Sequence, residues 1–272
     1  MTQSIFRQEI VENLTDFETV KDQINCRLVN AQQNADDLSG RPHTMMGELA
    51  VTYHVELGKS GSGSMSAPIT NHLMEMYGVN TEQLHSIALG NMEHLSPPRF
   101  KGMSETMAEL LMPDAMTNGM SREEAAQVID TIFPGEQDEM MYVLSNEERL
   151  HGAAAVLNKG IMDEVTRRLG REYYILPSSI HEVLIIPKRD EMDLQSLESM
   201  VRDVNATQVS PKERLSDNVY AYDVKTHELF RADRVAEQIR EKKPSINDAL
   251  KEPVGKAAAH AVKPKVAGDD AR

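Results

Sequence analysis

The sequence predicts an α+β protein: a mixed or antiparallel sheet with helices on one face, and a disordered C-terminal tail. Three observations carry that prediction. Period-two apolar patterning marks strands, most clearly GELAVTYHVELG (47–58), and YYILPSSIHEVLIIP (173–187) holds two short apolar strand runs. Between such runs lie apolar residues three or four apart, as in Leu194, Leu197, Val201 and Val204. From 140 to 223 the two patterns alternate as β-α-β-β-α-β, the order of a split βαβ unit, ferredoxin-like or similar.

The elements follow in order. Phe6, Ile10, Leu14 and Phe17 share one helical face, giving an N-terminal helix over 1–18. An α+β part over 19–135 begins with a strand carrying Val20, Ile24, Cys26 and Leu28 at even spacing. After a polar loop with Gly40 and Pro42, Leu49, Val51, Tyr53, Val55 and Leu57 face one way, and Ala50, Thr52, His54 and Glu56 the other. GKSGSGSMS reads as a surface loop, with Ser66 capping the next helix. Ile69, Leu73 and Met76 form that helix, and Gly78 closes it. A second begins at Thr81 and ends at Gly90. A third runs from Met103 to Met112 and stops at Pro113. Ser121 and Glu124 have capping-box spacing for a fourth, ended by Pro134.

The C-terminal part, 136–230, starts with a strand from Met140 to Ser145. Leu150, Ala154, Leu157, Ile161, Val165 and Leu169 then give one helix, stopped by Gly170. Strands at Tyr173–Leu176 and Glu182–Ile186 follow, the second apolar on both faces and so central in its sheet. After the helix on Leu194 come a strand at Val219–Tyr222 and a hairpin partner in THELF. The segment 231–272 is helical at first, then loses its apolar pattern and reads as disordered.

Composition limits the function classes. The formal net charge is −14. Residues 231–272 hold 10 Lys/Arg against 7 Asp/Glu, which leaves −17 on the rest. So acidic a body repels a phosphate backbone, and nucleic acid is not an expected partner. No apolar run is long enough to span a membrane and no secretory h-region is present, so a cytoplasmic setting is expected. The single Cys26 allows neither an internal disulfide nor a cysteine zinc site. There is no Walker loop and no G-x-G-x-x-G, so no cofactor is expected. His181-Glu182 lacks the second histidine of a metalloprotease helix, because position 185 is Ile, and no metal is expected.

Two polar clusters remain. Ser178, Ser179, His181 and Glu182 sit at the bend between two strands. A serine beside a histidine suits acyl transfer when an acid, here Asp217, orients the ring. The same residues equally serve as turn and strand-edge chemistry, and no G-x-S-x-G elbow surrounds the serines. Asn205, Gln208, Arg214 and Asp217 follow the last long helix and would form a ligand pocket with His181 and Glu182 if the loops converge. The 17 methionines, dense from Met45 to Met120, either fill an irregular core or line a partner groove.

These motifs resemble a known set. Asn146-Glu147, Gly152-Ala-Ala-Ala, YYILPSSIHEVLIIP and MVRDVNATQVSPKERLSDNVYAYD are similar to the bacterial domain-of-unknown-function family 5688, and so are RLVNAQQNADDL, Pro42-His43 and GELAVTYHVEL. The resemblance covers about 18–230 and implies a bacterial protein of gut Firmicutes type, shortened at its N-terminus. The family carries no assigned activity, ligand or catalytic residue. The expected function is a non-catalytic binding or accessory module for a protein or small ligand. The competitors are a hydrolase using Ser178 or Ser179 with His181, and an accessory factor of a mobile genetic element.

Overall fold

A computed structural model describes residues 14–60, 63–132, 139–189 and 192–234. Phe6 and Ile10 of the expected first helix, Pro134 and the tail from 235 lie outside them. The described chain is α+β, with ten antiparallel strands in two sheets. Among the described residues no helix is long and apolar enough to cross a membrane.

The first sheet holds β1 (Ile24–Asn30), β2 (His43–Met46), β3 (Leu49–Ser60) and β4 (Gly63–Pro68). β3 pairs with β1 along one edge; its other edge takes β2 and then β4. The expected loop at 59–66 is therefore a hairpin. Gly58, at φ +116°, makes the bulge that shifts its register. Ser66 lies in β4 and caps nothing; Thr70 is the cap, accepting from the Leu73 amide at 3.1 Å.

Short helices α1 (Phe17–Val20) and α2 (Ala35–Ser39) flank β1, and α3 (Asn71–Tyr77) ends at left-handed Gly78 as expected. α4 (Thr81–Leu95) starts with a capping box from Asn80 and Gln83 and runs straight through Gly90. Its Leu84, Ala88 and Met92 bury against Ile24, Cys26, Leu28, Val51, Tyr53 and Val55 of the sheet. That packing outweighs the cost of about 1 kcal/mol for one mid-helix glycine. α5 (Met103–Thr117) also passes its expected stop, because Pro113 removes only its own donor and the residues beyond keep theirs. α6 (Arg122–Ile132) has the capping box read from Ser121 and Glu124.

The second sheet contains β5 (Pro98–Gly102), β6 (Tyr142–Asn146), β7 (Tyr173–Leu176), β8 (Val183–Pro187), β9 (Tyr220–Asp223) and β10 (Glu228–Arg231). Its order is β10-β9-β7-β8-β6-β5. β6, β8 and β7 form the split βαβ, with β8 central. The fourth strand of the unit, β9, lies beside β7. A ferredoxin-like order would place it beside β6, but β5 occupies that edge. β7 and β8 are buried on both faces: Ile175 and Ile185 join the main core, while Leu176 and Ile186 pack with Leu197 and Val201 of α8 (Leu194–Gln208). The helix expected from Leu150 to Leu169 is two pieces, a 3-10 turn over Gly152–Leu157 and α7 (Lys159–Leu169). Asn158 divides them by capping α7 through the Ile161 amide at 3.0 Å.

One carboxylate ties the sheets together. Glu48, in the turn before β3, accepts from the Ser216 hydroxyl, from Asn218 at 2.7 Å and from Tyr220 at 2.9 Å, all on Oε1. Burial alone would raise its pKa, but those donors hold it below the usual carboxylate value. Glu48→Ala is expected to cost about 2–3 kcal/mol, since it orphans the buried Tyr220 hydroxyl, with Glu48→Gln falling between. Denaturant melts of the two variants check this; equal stabilities for Ala and wild type would refute it.

Of the middle methionines, Met92 is buried in the core and Met46 packs against it. Of Met45, Met46, Met103, Met107, Met112, Met116 and Met120, none is buried.

Candidate functional site

The strand bend with the serines is zipped to the loop before β9. Ser216, Leu215 and Ile180 amides donate to the carbonyls of Pro177, Ser178 and Glu213, and Ser179 bridges to Arg214. Ser178 is buried, and the Ser179 hydroxyl accepts from the His181 amide at 3.0 Å, closing its own turn. Asp217 accepts from Asn205 at 2.7 Å. Asn205 is fully packed and also donates to the Ser216 carbonyl, leaving its Oδ1 without a partner. Gln208 ends α8 in solvent. Glu182 lines a separate small hollow with Arg99, Lys101 and Arg149. The structure therefore disperses the candidate residues, and Ser178 or Ser179, His181 and Asp217 do not form one chain of hydrogen bonds.

His181 has other neighbours. Its Nδ1 accepts from the His151 amide at 3.3 Å, its Nε2 lies 3.6 Å from Glu213, and its ring tilts against the His151 ring with centroids 5.7 Å apart. His151 is in the left-handed region at φ +53°, uncommon for a side-chain-bearing residue. Gly152 enforces the approach. The Ser145 hydroxyl donates to the His181 carbonyl at 2.8 Å, and a Cβ on Gly152 would stand 2.7 Å from that carbonyl oxygen.

From His151 the site extends onto the polar face of the first sheet. Antiparallel register sets Asn25 opposite His54 and Arg27 opposite Thr52, on the side away from α4. This face is not solvated: Thr52 is 3 % exposed and His54 9 %. A hollow of about 180 Å³ opens over it, lined by Arg27, Arg41, Lys212, Arg214, His54 and His151 among others, with Asp37 the one carboxylate in its wall. Arg41 pairs with Asp37 at 2.8 Å, while Arg214 gives its Nε to the Val209 carbonyl at the end of α8. One ring nitrogen of His54 meets the Thr52 hydroxyl at 3.2 Å; among the described residues the other has no partner, and neither has either ring nitrogen of His151. Burial, then the positive charge of Arg27 and Arg41, pushes His54 down to about 3. Burial, then Arg27, pushes His151 to about 4. Both rings are neutral at pH 7 and have lone pairs or N–H groups to offer.

A larger hollow of about 500 Å³ lies on the other side of Arg27 and His151, which line both. Arg27 is fixed between them by Glu56 at 3.2 Å and Ser66 at 2.6 Å. Among the described residues no three His, Cys, Asp or Glu side chains gather to hold a metal ion.

Of the residues singled out in the sequence, only Arg214 lines the basic hollow. Arg27, Arg41, His54, His151 and Lys212 were missed. The available signal was the alternation itself, which puts Arg27, Thr52 and His54 on one face of two strands otherwise rich in apolar residues.

A family model described as a family of unknown function (DUF5688) matches residues 2–224, reaching back beyond the start read from the motifs. The chain belongs to that family. No curated protein and no solved structure matches it significantly.

Proposed function

We propose that this member of the unknown-function family is a non-catalytic binding module whose ligand carries a small oxyanion, a phosphate or carboxylate group. One observation carries the reading: four cationic side chains line a hollow with one carboxylate in its wall, and after Arg27 pairs with Glu56 and Arg41 with Asp37 the charges of Lys212 and Arg214 remain, in a chain of net charge −14. Charges of one sign concentrated in a low-dielectric recess attract the opposite sign against the field of the rest of the molecule. Arginine supplies forked donors that match oxyanions, and the free nitrogens of His54 and His151 add neutral hydrogen bonds. At roughly 30 Å³ per water, 180 Å³ is about six waters, the scale of one anionic group with its near neighbours. The Ser–His–Asp set is dispersed, with Ser179 and Asp217 each occupied by structural partners, which favours binding over acyl transfer.

Calorimetric titration with inorganic phosphate and with citrate, at ionic strength matched with chloride, tests the reading. Binding of at least one is expected, weakened about tenfold or more in a Lys212→Gln/Arg41→Gln double variant. Absence of binding beyond the chloride control, or binding undiminished in the double variant, would overturn it.

A further inference from the structure

We propose that the larger hollow beside the basic one receives a polyhydroxylated body joined to the anion, so that the ligand class is a sugar or polyol phosphate. This rests on the anion reading above and extends it across the Arg27–His151 pair, which forms the shared wall of the two hollows.

The chemistry of the larger hollow supports hydroxyl groups over other occupants. Asn25 is 7 % exposed and lines it. Its Oδ1 accepts from the Cys26 amide at 2.9 Å, while its Nδ2 has no partner among the described residues. A nine-tenths-buried amide that lines a hollow, with two N–H donors that no described residue accepts, asks for a ligand acceptor. The same wall offers acceptors. Glu147 is exposed at the rim, and Glu56 lies deeper, its Oε1 taken by Arg27 and its Oε2 by Ser64 at 3.0 Å. Donors and acceptors in one small space are complementary to hydroxyls, which do both.

Two other occupants fit less well. An ammonium group would meet the Asn25 donors instead of an acceptor, and the partly buried carboxylate of the wall, Glu56, is already paired with Arg27. A purely apolar body would bury the Asn25 N–H groups unpaired. The apolar strips that are present, at Leu57, Leu95 and Leu150, suit the C–H faces of a sugar ring. Size agrees: 500 Å³ corresponds to about seventeen waters, roughly three times the basic hollow.

The test compares inorganic phosphate, glycerol 3-phosphate, ribose 5-phosphate and glucose 6-phosphate, with free ribose and glucose, by calorimetry on the full chain. At least one organic phosphate is expected to bind tenfold or more tighter than inorganic phosphate. Asn25→Ala and, separately, Glu147→Ala are expected to remove most of that gain while leaving inorganic phosphate affinity unchanged. Glu147 is exposed, so its variant keeps the test open if Asn25→Ala fails to fold. If inorganic phosphate binds and no organic phosphate exceeds it tenfold, or if both variants keep the full gain, the polyol inference is lost and the anion reading stands. If neither inorganic nor organic phosphates bind, the polyol phosphate inference is lost, and the anion reading falls with it if citrate also fails to bind.

Discussion

Gly152→Ala is expected to lower stability by at least about 3 kcal/mol and to remove ligand binding at the His151 hollows with it. The added methyl would stand 2.5 Å from the Asn146 amide nitrogen and 2.7 Å from the His181 carbonyl oxygen, with the Ser145 hydroxyl also in its way. Two of these three atoms are backbone. They belong to buried β6 and to the bend after β7, whose His181 carbonyl is held by the Ser145 hydroxyl, and backbone there cannot yield as a side-chain tip would. Overpacking in a tight interior commonly costs about 1–3 kcal/mol, and a clash with backbone on two sides lies at or beyond the top of that range. The contrast is Gly90→Ala in the same protein. That position is mid-helix, and nothing lies within 4 Å of the added carbon. There alanine is expected to stabilise by about 0.5–1 kcal/mol through helix propensity. Denaturant unfolding of both variants decides the matter: a Gly152→Ala protein as stable as wild type would mean that the close approach around His151 is not a constraint of the fold.

The same pair of glycines marks where local sequence reasoning succeeds and where it fails. Strands with strict alternation, β1 and β3, were legible because the pleat imposes period two and one face of each meets the core, and β7 and β8 because each is a short run of apolar residues. So were the Ser121–Glu124 cap and the central place of β8. Gly90 and Pro113 misled, since a local breaker costs a fixed amount and burial of Leu84, Ala88 and Met92 beside Gly90 outweighs it. β5 was not legible: PRFKG has one buried apolar side chain, Phe100, and becomes a strand by pairing with β6 far along the chain. The site was missed for a related reason. Polar residues on an alternating strand normally face water, so Arg27, Thr52 and His54 read as a solvated face. Their burial comes from the segment around His151 and the loop at 212–214, brought over them by tertiary packing. The serine bend attracted attention because its polar residues are adjacent in sequence, whereas the basic hollow draws on residues 27–41, 52–54, 151, 180 and 212–214.

Lowering the pH from 7 to 5 is expected to destabilise the protein by roughly 3 kcal/mol through His54 and His151. In the unfolded chain both imidazoles titrate near 6.5; in the fold they are held at about 3 and about 4. Their folded values are depressed, so their contribution is complete above pH 6.5, where neither state binds the proton. Below 6.5 the unfolded chain takes up protons that the fold refuses, and stability falls by up to about 1.4 kcal/mol per pH unit for each ring. Burial lowers His85 as well, with the same sign. Glu48 does not contribute in this window, because a lowered carboxylate loses its stabilising effect only below its unfolded value of 4.5. Urea titrations at pH 7, 6 and 5 measure the slope, and His54→Gln is expected to flatten it by close to one histidine's share. A bound oxyanion reverses the electrostatics that keep these rings neutral, since it favours the imidazolium form where Arg27 and Arg41 oppose it. Sulfate keeps its charge throughout this range, so saturating sulfate should reduce the loss between pH 7 and 5 and bind more tightly at pH 5. A stability that holds level to pH 5, or a His54→Gln slope equal to wild type, would show that the buried imidazoles take up protons without cost and are not the neutral donors and acceptors of a binding hollow.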